Sequence, residues 1–261
     1  MRKLELGLNR AARDFGALAL AFTIGTVAFG VNETRAAEDL IDPKAMTILG
    51  QMSAYLAGAS SFSVKATVLY DHVQTSGIKI KSAAVREVFV RRPGELHVRT
   101  QFDDGASRKT WYDGKELVVL NERSNEDAKL SFAGNLDQLL DHVIENTKVQ
   151  LPLADLLYSD IDKTFAESII SAEYVGKRLV DGVLCHQLSL ESTGADWQIW
   201  IEADDTPVPR RFAINYVHVP GEPQFLASLA EWRIDPQFED ADFAIKLPQD
   251  AKEVSVDQMT Q

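Results

Sequence analysis

The chain is 261 residues long, with 45% hydrophobic and 25% charged side chains, the composition of an ordinary globular protein. Its net charge of −12 argues against nucleic acid, whose phosphates need a basic face, and against tight electrostatic docking on anionic lipid. One cysteine excludes an internal disulfide, and with five histidines it leaves little for a zinc cage.

Residues 1–36 read as a secretory signal peptide. Arg2, Lys3, Arg10 and Arg13 form a positive start, and Gly16 to Val31 carries no charge. Thr34-Arg35-Ala36 then offers small residues before a cut ahead of Ala37. The apolar run falls short of the roughly 20 residues that span a bilayer comfortably, so no stable membrane span is expected after its removal. The mature chain, 37–261, suits a single domain. Export without disulfides points to a bacterial periplasm.

Asp42-Pro43 opens a helix, with Asp as cap and Pro at the first helical position. Ala45, Met46, Leu49, Met52 and Leu56 recur at helical spacing, and Gly58 ends it. The period then changes to two. Phe62, Val64, Ala66, Val68 and Tyr70 alternate with their neighbours. Further strands are predicted at 78–90, 95–103, 107–112, 116–122 and 128–132, separated by Pro93-Gly94, Asp104-Gly105 and Asp113-Gly114. Leu136, Leu139, Leu140, Val143 and Ile144 return to helical spacing, and Pro152–Tyr158 suits a second short helix. Strands resume at 169–180, 183–191, 196–202, 208–219 and 224–234, with Asp181-Gly182 as a hairpin turn. A last extended piece is expected at 243–247, and a loose tail after Asp250. About ten or eleven strands with regular turns predict a mainly β fold, α+β in class, whose meandering antiparallel sheet curls around helices packed into its open side.

Motifs with built-in chemistry are absent. The sequence contains no G-x-G-x-x-G, P-loop, H-E-x-x-H or G-x-S-x-G. Cys185 and His186 are strand neighbours, so they point to opposite faces and do not form a catalytic pair. The acidic groups Asp103-Asp104, Asp204-Asp205 and Glu239-Asp240 fall in turns and match no calcium loop. No catalytic residue, metal site or cofactor is expected.

The aromatic and apolar residues stand out instead. In Trp197–Glu202, Trp197, Ile199 and Ile201 share one face, with Trp200 on the other. Two readings stay open for such a face: ordinary sheet core, or the wall of a cavity for a hydrophobic ligand. A sixteen-carbon chain gains about 0.8 kcal/mol per buried methylene, roughly 12 kcal/mol in all before ordering costs. Its carriage across water requires a protein interior rather than special chemistry.

The stretches Phe89–Thr100 (FVRRPGELHVRT) and Trp111–Leu120 (WYDGKELVVL) resemble the periplasmic lipoprotein carriers LolA and LolB. Arg92-Pro93, Leu96 with Val98, and Asp113-Gly114-Lys115 carry the likeness, with Ala59–Phe62 and Phe243–Pro248 at the ends. The second half is similar to a family of predicted periplasmic proteins related to these carriers, through LPLADLL (151–157), CHQL (185–188), DWQIWIE (196–202), PRR (209–211) and PQF (223–225). The resemblance implies an unclosed antiparallel β-barrel with an N-terminal helix, a midchain helical lid and a cavity for acyl chains. It implies that Arg92 bridges to the lid, that Val88, Val90, Leu96 and Val98 face inward, and that Leu139, Leu140, Val143, Leu153 and Leu156 line the lid. Trp197 and Ile199 complete the candidate ligand-binding set. The sequence departs from the carriers at Glu95 and His97, which fall on the alternate face, and in a longer insertion at 135–164. The implied partners are lipid or an acylated lipoprotein, with other cell-envelope proteins as a further class. The alternative is a non-catalytic interaction module whose core is filled by side chains.

Overall fold

The computed structural model describes residues 40–146, 153–161 and 168–255. The signal segment 1–36, parts of the insertion read at 135–164, and the last six residues lie outside them. No helix among the described residues is long and apolar enough to cross a membrane.

Helix α1 (Pro43–Gly58) leads into a first meander of β1 (Ser61–Val73), β2 (Lys79–Arg91), β3 (Glu95–Phe102), β4 (Ser107–Tyr112), β5 (Glu116–Asn121) and β6 (Glu126–Ser131). Helix α2 (Leu136–Asn146) and a 3-10 turn (Ala154–Leu157) follow. A second meander comprises β7 (Ile169–Val180), β8 (Val183–Ser192), β9 (Ala195–Glu202), β10 (Pro209–Asn215) and β11 (Gln224–Ile234). A short helix α3 (Asp240–Phe243) and β12 (Lys252–Glu253) close the described chain. All twelve strands form one sheet in the order β12-β6-β5-β4-β3-β2-β1-β11-β10-β9-β8-β7, which has two ends and does not close. The two meanders join through the antiparallel pairing of β1 with β11.

The predicted faces follow from alternation. Phe62, Val64, Ala66 and Val68 of β1 are buried together in the concave core. Turn chemistry sets the hairpins. Asp181 and Gly182 have φ of 50° and 84°, the two left-handed residues of a type I′ turn. Asp113 accepts from the amides of Lys115 and Glu116, both at 2.9 Å, while Gly114 takes a φ of 86°. Asp42 caps α1 by accepting from the Lys44 amide at 2.8 Å. On that helix Ala45, Leu49, Met52 and Leu56 are buried as expected, while Ile48 takes the buried place read for Met46, which is only half-buried.

Four other expectations are corrected in whole or in part. The strand read at 208–219 ends at Asn215, because the Val219 amide donates to the Tyr216 carbonyl (3.1 Å) and the Glu222 amide to that of Val219 (2.8 Å). Those bonds turn the chain before it can extend. The helix read at 152–158 is a single 3-10 turn entered through Leu153 at φ 71°. Of the extended piece read at 243–247, Phe243 instead closes helix α3, wound by a capping box between Glu239 and Asp242, and Ala244 after it is extended. Within the tail expected to be loose after Asp250, Lys252 and Glu253 form β12 and pair in parallel with β6.

The C-terminal segment explains the sequence departure at His97. It lies on the convex face, where Ile245 and Leu247 pack on Trp111, Val118 and Leu120. His97 is buried there, stacked on Trp111 at 5.3 Å, with Nδ1 2.7 Å from the Asp242 carbonyl. Burial pushes its pKa down. On the opposite half of the sheet, Cys185 is wholly buried. Burial, helped by nearby Glu202, pushes its thiol up to about 11, which suits an inert core residue.

One pH effect follows at the junction of α1 and β1. The Asp235 carboxylate accepts from the Ser60 amide (2.7 Å), the Ser60 hydroxyl (2.8 Å) and the Ser61 amide (3.2 Å). These bonds, the Ser60 hydroxyl first, hold its pKa below the ordinary carboxylate value. A depressed folded pKa adds stability above the unfolded value of about 3.9, and that stability is lost as pH falls through the folded value. Asp235→Asn, which tolerates the φ of 50° found here, should therefore melt below the parent protein at pH 7. The gap should narrow as pH falls below about 3.9 and through the lower folded value. A gap that stays constant with pH would show that the charge is not its source.

Candidate functional site

The concave face is divided between two coverings. Helix α1 packs against β7 and β9 and fills one half of the curl. The half formed by β1 to β5 is covered by α2 and the 3-10 turn, and between them lies a cavity of about 840 Å³. Pockets for small molecules run from about 300 to 1,000 Å³.

Eight of the twelve candidate residues come together on its wall. Val88, Leu96 and Val98 line it from β2 and β3, Leu139, Leu140 and Val143 from α2, and Leu153 and Leu156 from the turn. They meet because β2 and β3 pair Val88 with Val98 and Val90 with Leu96, which places all four on one face. Val90 does not reach the wall and is fully buried in the core. Trp197 and Ile199 lie in the core of the other half, where Trp197 stacks on Phe212 at 5.8 Å. Their face was legible in the sequence; which half of the curl α1 fills was not.

Arg92 also stands off the wall, at the junction of sheet and lid. Its Nη1 donates to the Leu157 carbonyl at 2.9 Å and its Nη2 to the Tyr158 carbonyl at 3.0 Å. A planar guanidinium with parallel donors suits two successive carbonyls. The turn is in turn fastened to α2. The Tyr158 hydroxyl donates to Asp141 at 2.9 Å, and the Ser159 amide donates to Asp137 at 3.0 Å. Burial first, and then the Asp141 bond, push the Tyr158 pKa upward.

The start of α2 is anchored separately. The Leu136 amide donates to the Pro93 carbonyl at 2.8 Å, and Asn135 and Gln138 form a reciprocal cap. Tyr112, fully buried, donates to the Gly134 carbonyl at 2.8 Å. Gly134 is closely approached: an added Cβ would stand 2.8 Å from the Gln138 side-chain oxygen and 2.9 Å from the Phe132 ring, which would have to shift.

Several wall residues were not singled out from the sequence. Phe62, Leu117, Leu229 and Trp232 extend the apolar lining. Tyr216 and Val219 reach it from the β10–β11 loop, and burial pushes the Tyr216 pKa up to about 12. The wall also carries polar groups, Asp71, His72, Arg86, Thr100, Arg108 and Thr110 among them. The count by twos that places Val90 and Val88 inside also places Arg86 inside, a signal available in the sequence. Among the described residues no group of three His, Cys, Asp or Glu side chains is arranged to hold a metal ion.

Among solved structures, the Mycobacterium tuberculosis lipoprotein LppX is 14% identical, with a TM-score of 0.48 over 76% of this chain and 98% of its own. An uncharacterized conserved protein from Thermus thermophilus is 15% identical, with a TM-score of 0.46 over 81% of this chain and 99% of its own. The LolA superfamily protein NE2245 from Nitrosomonas europaea is 12% identical, with a TM-score of 0.39 over 77% and 97%. No curated protein matches the chain. The family model described as "Predicted periplasmic protein (DUF2092)" matches residues 45–257, from α1 through every strand of the curled sheet. The chain therefore belongs to the DUF2092 family of predicted periplasmic proteins.

Proposed function

We propose that this periplasmic protein is a non-catalytic binder or carrier of a hydrophobic ligand, a lipid or the acyl group of a lipoprotein. The ligand is held between the β1–β5 half of the sheet and the lid. Export by residues 1–36, with cleavage ahead of Ala37, belongs to the same reading. The observation that carries it is the cavity of about 840 Å³, walled largely by Val, Leu and Phe side chains and covered by an apolar helix face. Native cores pack to a density that leaves few voids larger than a water molecule. A space of this size in one half of a fold whose other half is filled by α1 is suited to an occupant. At about 0.8 kcal/mol per buried methylene, an acyl chain supplies the affinity without any specific polar contact.

The test is mass spectrometry of organic extracts from the mature protein, purified gently from its native periplasm. Stoichiometric lipid, fatty acid or acylated protein supports the proposal and names the cargo class. A ligand-free protein that also takes up no added fatty acid overturns it in favour of a protein-interaction module.

A further inference from the structure

The cavity wall contains two arginines without acidic partners. Arg86 of β2 pairs with Thr100 of β3, and Thr100 pairs with Arg108 of β4, so the three side chains form one row across the concave face. All three line the cavity. Cross-strand partners share a face, so an arginine stands on either side of a threonine in the cavity wall.

The acids nearby are committed elsewhere. Asp71 pairs with Lys81 at 2.7 Å and accepts from the Gln224 amide at 3.0 Å. Asp103 accepts from the Ala83 amide at 2.6 Å, and Asp104 pairs with Arg123 at 2.7 Å. Among the described residues, neither Arg86 nor Arg108 has a carboxylate partner. Nε of Arg108 is buried with no hydrogen-bond partner, and the guanidinium lies 5.6 Å from the centre of the Phe102 ring. Burial pushes both guanidinium pKa values down, against a smaller upward pull from Tyr70, and Arg108 pushes that of Arg86 down further.

Two like charges held in an apolar wall are costly unless something neutralises them. The chain carries 39 acidic residues against 27 basic ones, yet spends none on this pair. Position gives the polarity of the occupant. Arg86 lies six residues from the lid-bound Arg92, roughly 20 Å along an extended strand. Val88 and Leu96 lie between, on the lid side. On the other side, Tyr70, His72, Phe102 and Arg108 also border an adjoining cleft of about 300 Å³.

We infer that the row Arg86–Thr100–Arg108 is a headgroup site: it binds the anionic end, carboxylate or phosphate, of an amphiphile whose acyl chain lies toward the lid. This inference rests on the proposed hydrophobic cavity and adds the charge of its ligand. Hydrogen bonds to a charged group contribute enough for a tenfold to hundredfold effect on affinity, as an order of magnitude.

The test compares ligands of one chain length on the exported protein and on the double variant Arg86→Gln/Arg108→Gln. Palmitate, hexadecyl phosphate, hexadecanol and inorganic phosphate serve as probes, with calorimetry or native mass spectrometry as the readout. Expected is at least tenfold tighter binding of palmitate or hexadecyl phosphate than of hexadecanol. The variant should lose that preference while its circular dichroism stays that of the parent, which shows that it is folded. The two anionic probes separate a carboxylate from a phosphate headgroup. Equal binding of hexadecanol and the anions, or a variant that keeps the preference, overturns the headgroup site and leaves the cavity intact. Inorganic phosphate binding as tightly as hexadecyl phosphate also overturns it, by showing a free-anion site. Failure of every long-chain probe overturns the cavity proposal and this inference together.

Discussion

Replacing Arg92 by alanine should free the lid from the sheet. The guanidinium makes two hydrogen bonds to successive carbonyls, those of Leu157 and Tyr158. Bonds from a charged donor contribute about 1.5–3 kcal/mol each. Arg92 is half-buried, so the lower figure applies, and the pair then amounts to roughly 3 kcal/mol, on the order of a hundredfold in the opening equilibrium. Its 5.8 Å approach to the Phe62 ring is lost as well. Because Tyr158 and Ser159 fasten the turn to Asp141 and Asp137 of α2, the loosening should spread to the helix. Amide hydrogen exchange over Leu139–Val143 and Ala154–Tyr158 should accelerate by about two orders of magnitude, with β1–β3 unaffected. Release of any bound acyl chain should accelerate with it. Arg92→Lys should recover only part of the protection, since one ammonium does not span two carbonyls in a fixed fork. Unchanged exchange in the alanine variant would mean that Leu136, Tyr112 and the apolar contacts hold the lid without Arg92.

Filling the cavity should have the second large effect. Val88 faces it from the middle of β2, opposite Val64 on one side and Val98 on the other. In a packed core a small-to-large change costs about 1–3 kcal/mol through strain. At Val88 the indole of Val88→Trp has open volume to enter, so the melting temperature should stay within a few degrees of the parent. Bound acyl ligand should fall at least tenfold. The same change at Ile199, fully buried in the half filled by α1, should destabilise the fold by the full strain cost. Retained ligand in Val88→Trp would place the acyl chain elsewhere. A large loss of stability would mean that side chains already occupy this half.

These contrasts mark where local pattern stops. The inward faces of β1, β2 and β3 were legible because a strand's side chains alternate whatever the strand pairs with. Arg92 and Leu96 entered through the likeness to the carriers, whereas the helical spacing of Leu136, Leu139, Leu140 and Val143 was a local pattern. Arg86 and Arg108 were not recognised: an arginine within a short strand reads as solvent-facing until its phase against Val88 and Thr110 is counted. In the C-terminal segment local pattern missed that a capping box of two acidic side chains winds Asp240–Phe243 into a helix, and that Ile245 and Leu247 meet Trp111, Val118 and Leu120 on a distant strand pair.

The sequence by itself determined the strands, the hairpin turns, the capped first helix and the amphipathic lid. Each depends on residues within a few positions of one another, through side-chain phase, turn residues and caps. Tertiary structure alone decided that α1 fills the β7–β9 half and leaves the β1–β5 half hollow. It also decided that β1 joins β11 across the chain, and that Arg86 and Arg108 stand in one row on the hollow side. Those outcomes depend on which apolar faces find each other across long separations, a competition among burial and register alternatives that no local window of sequence contains.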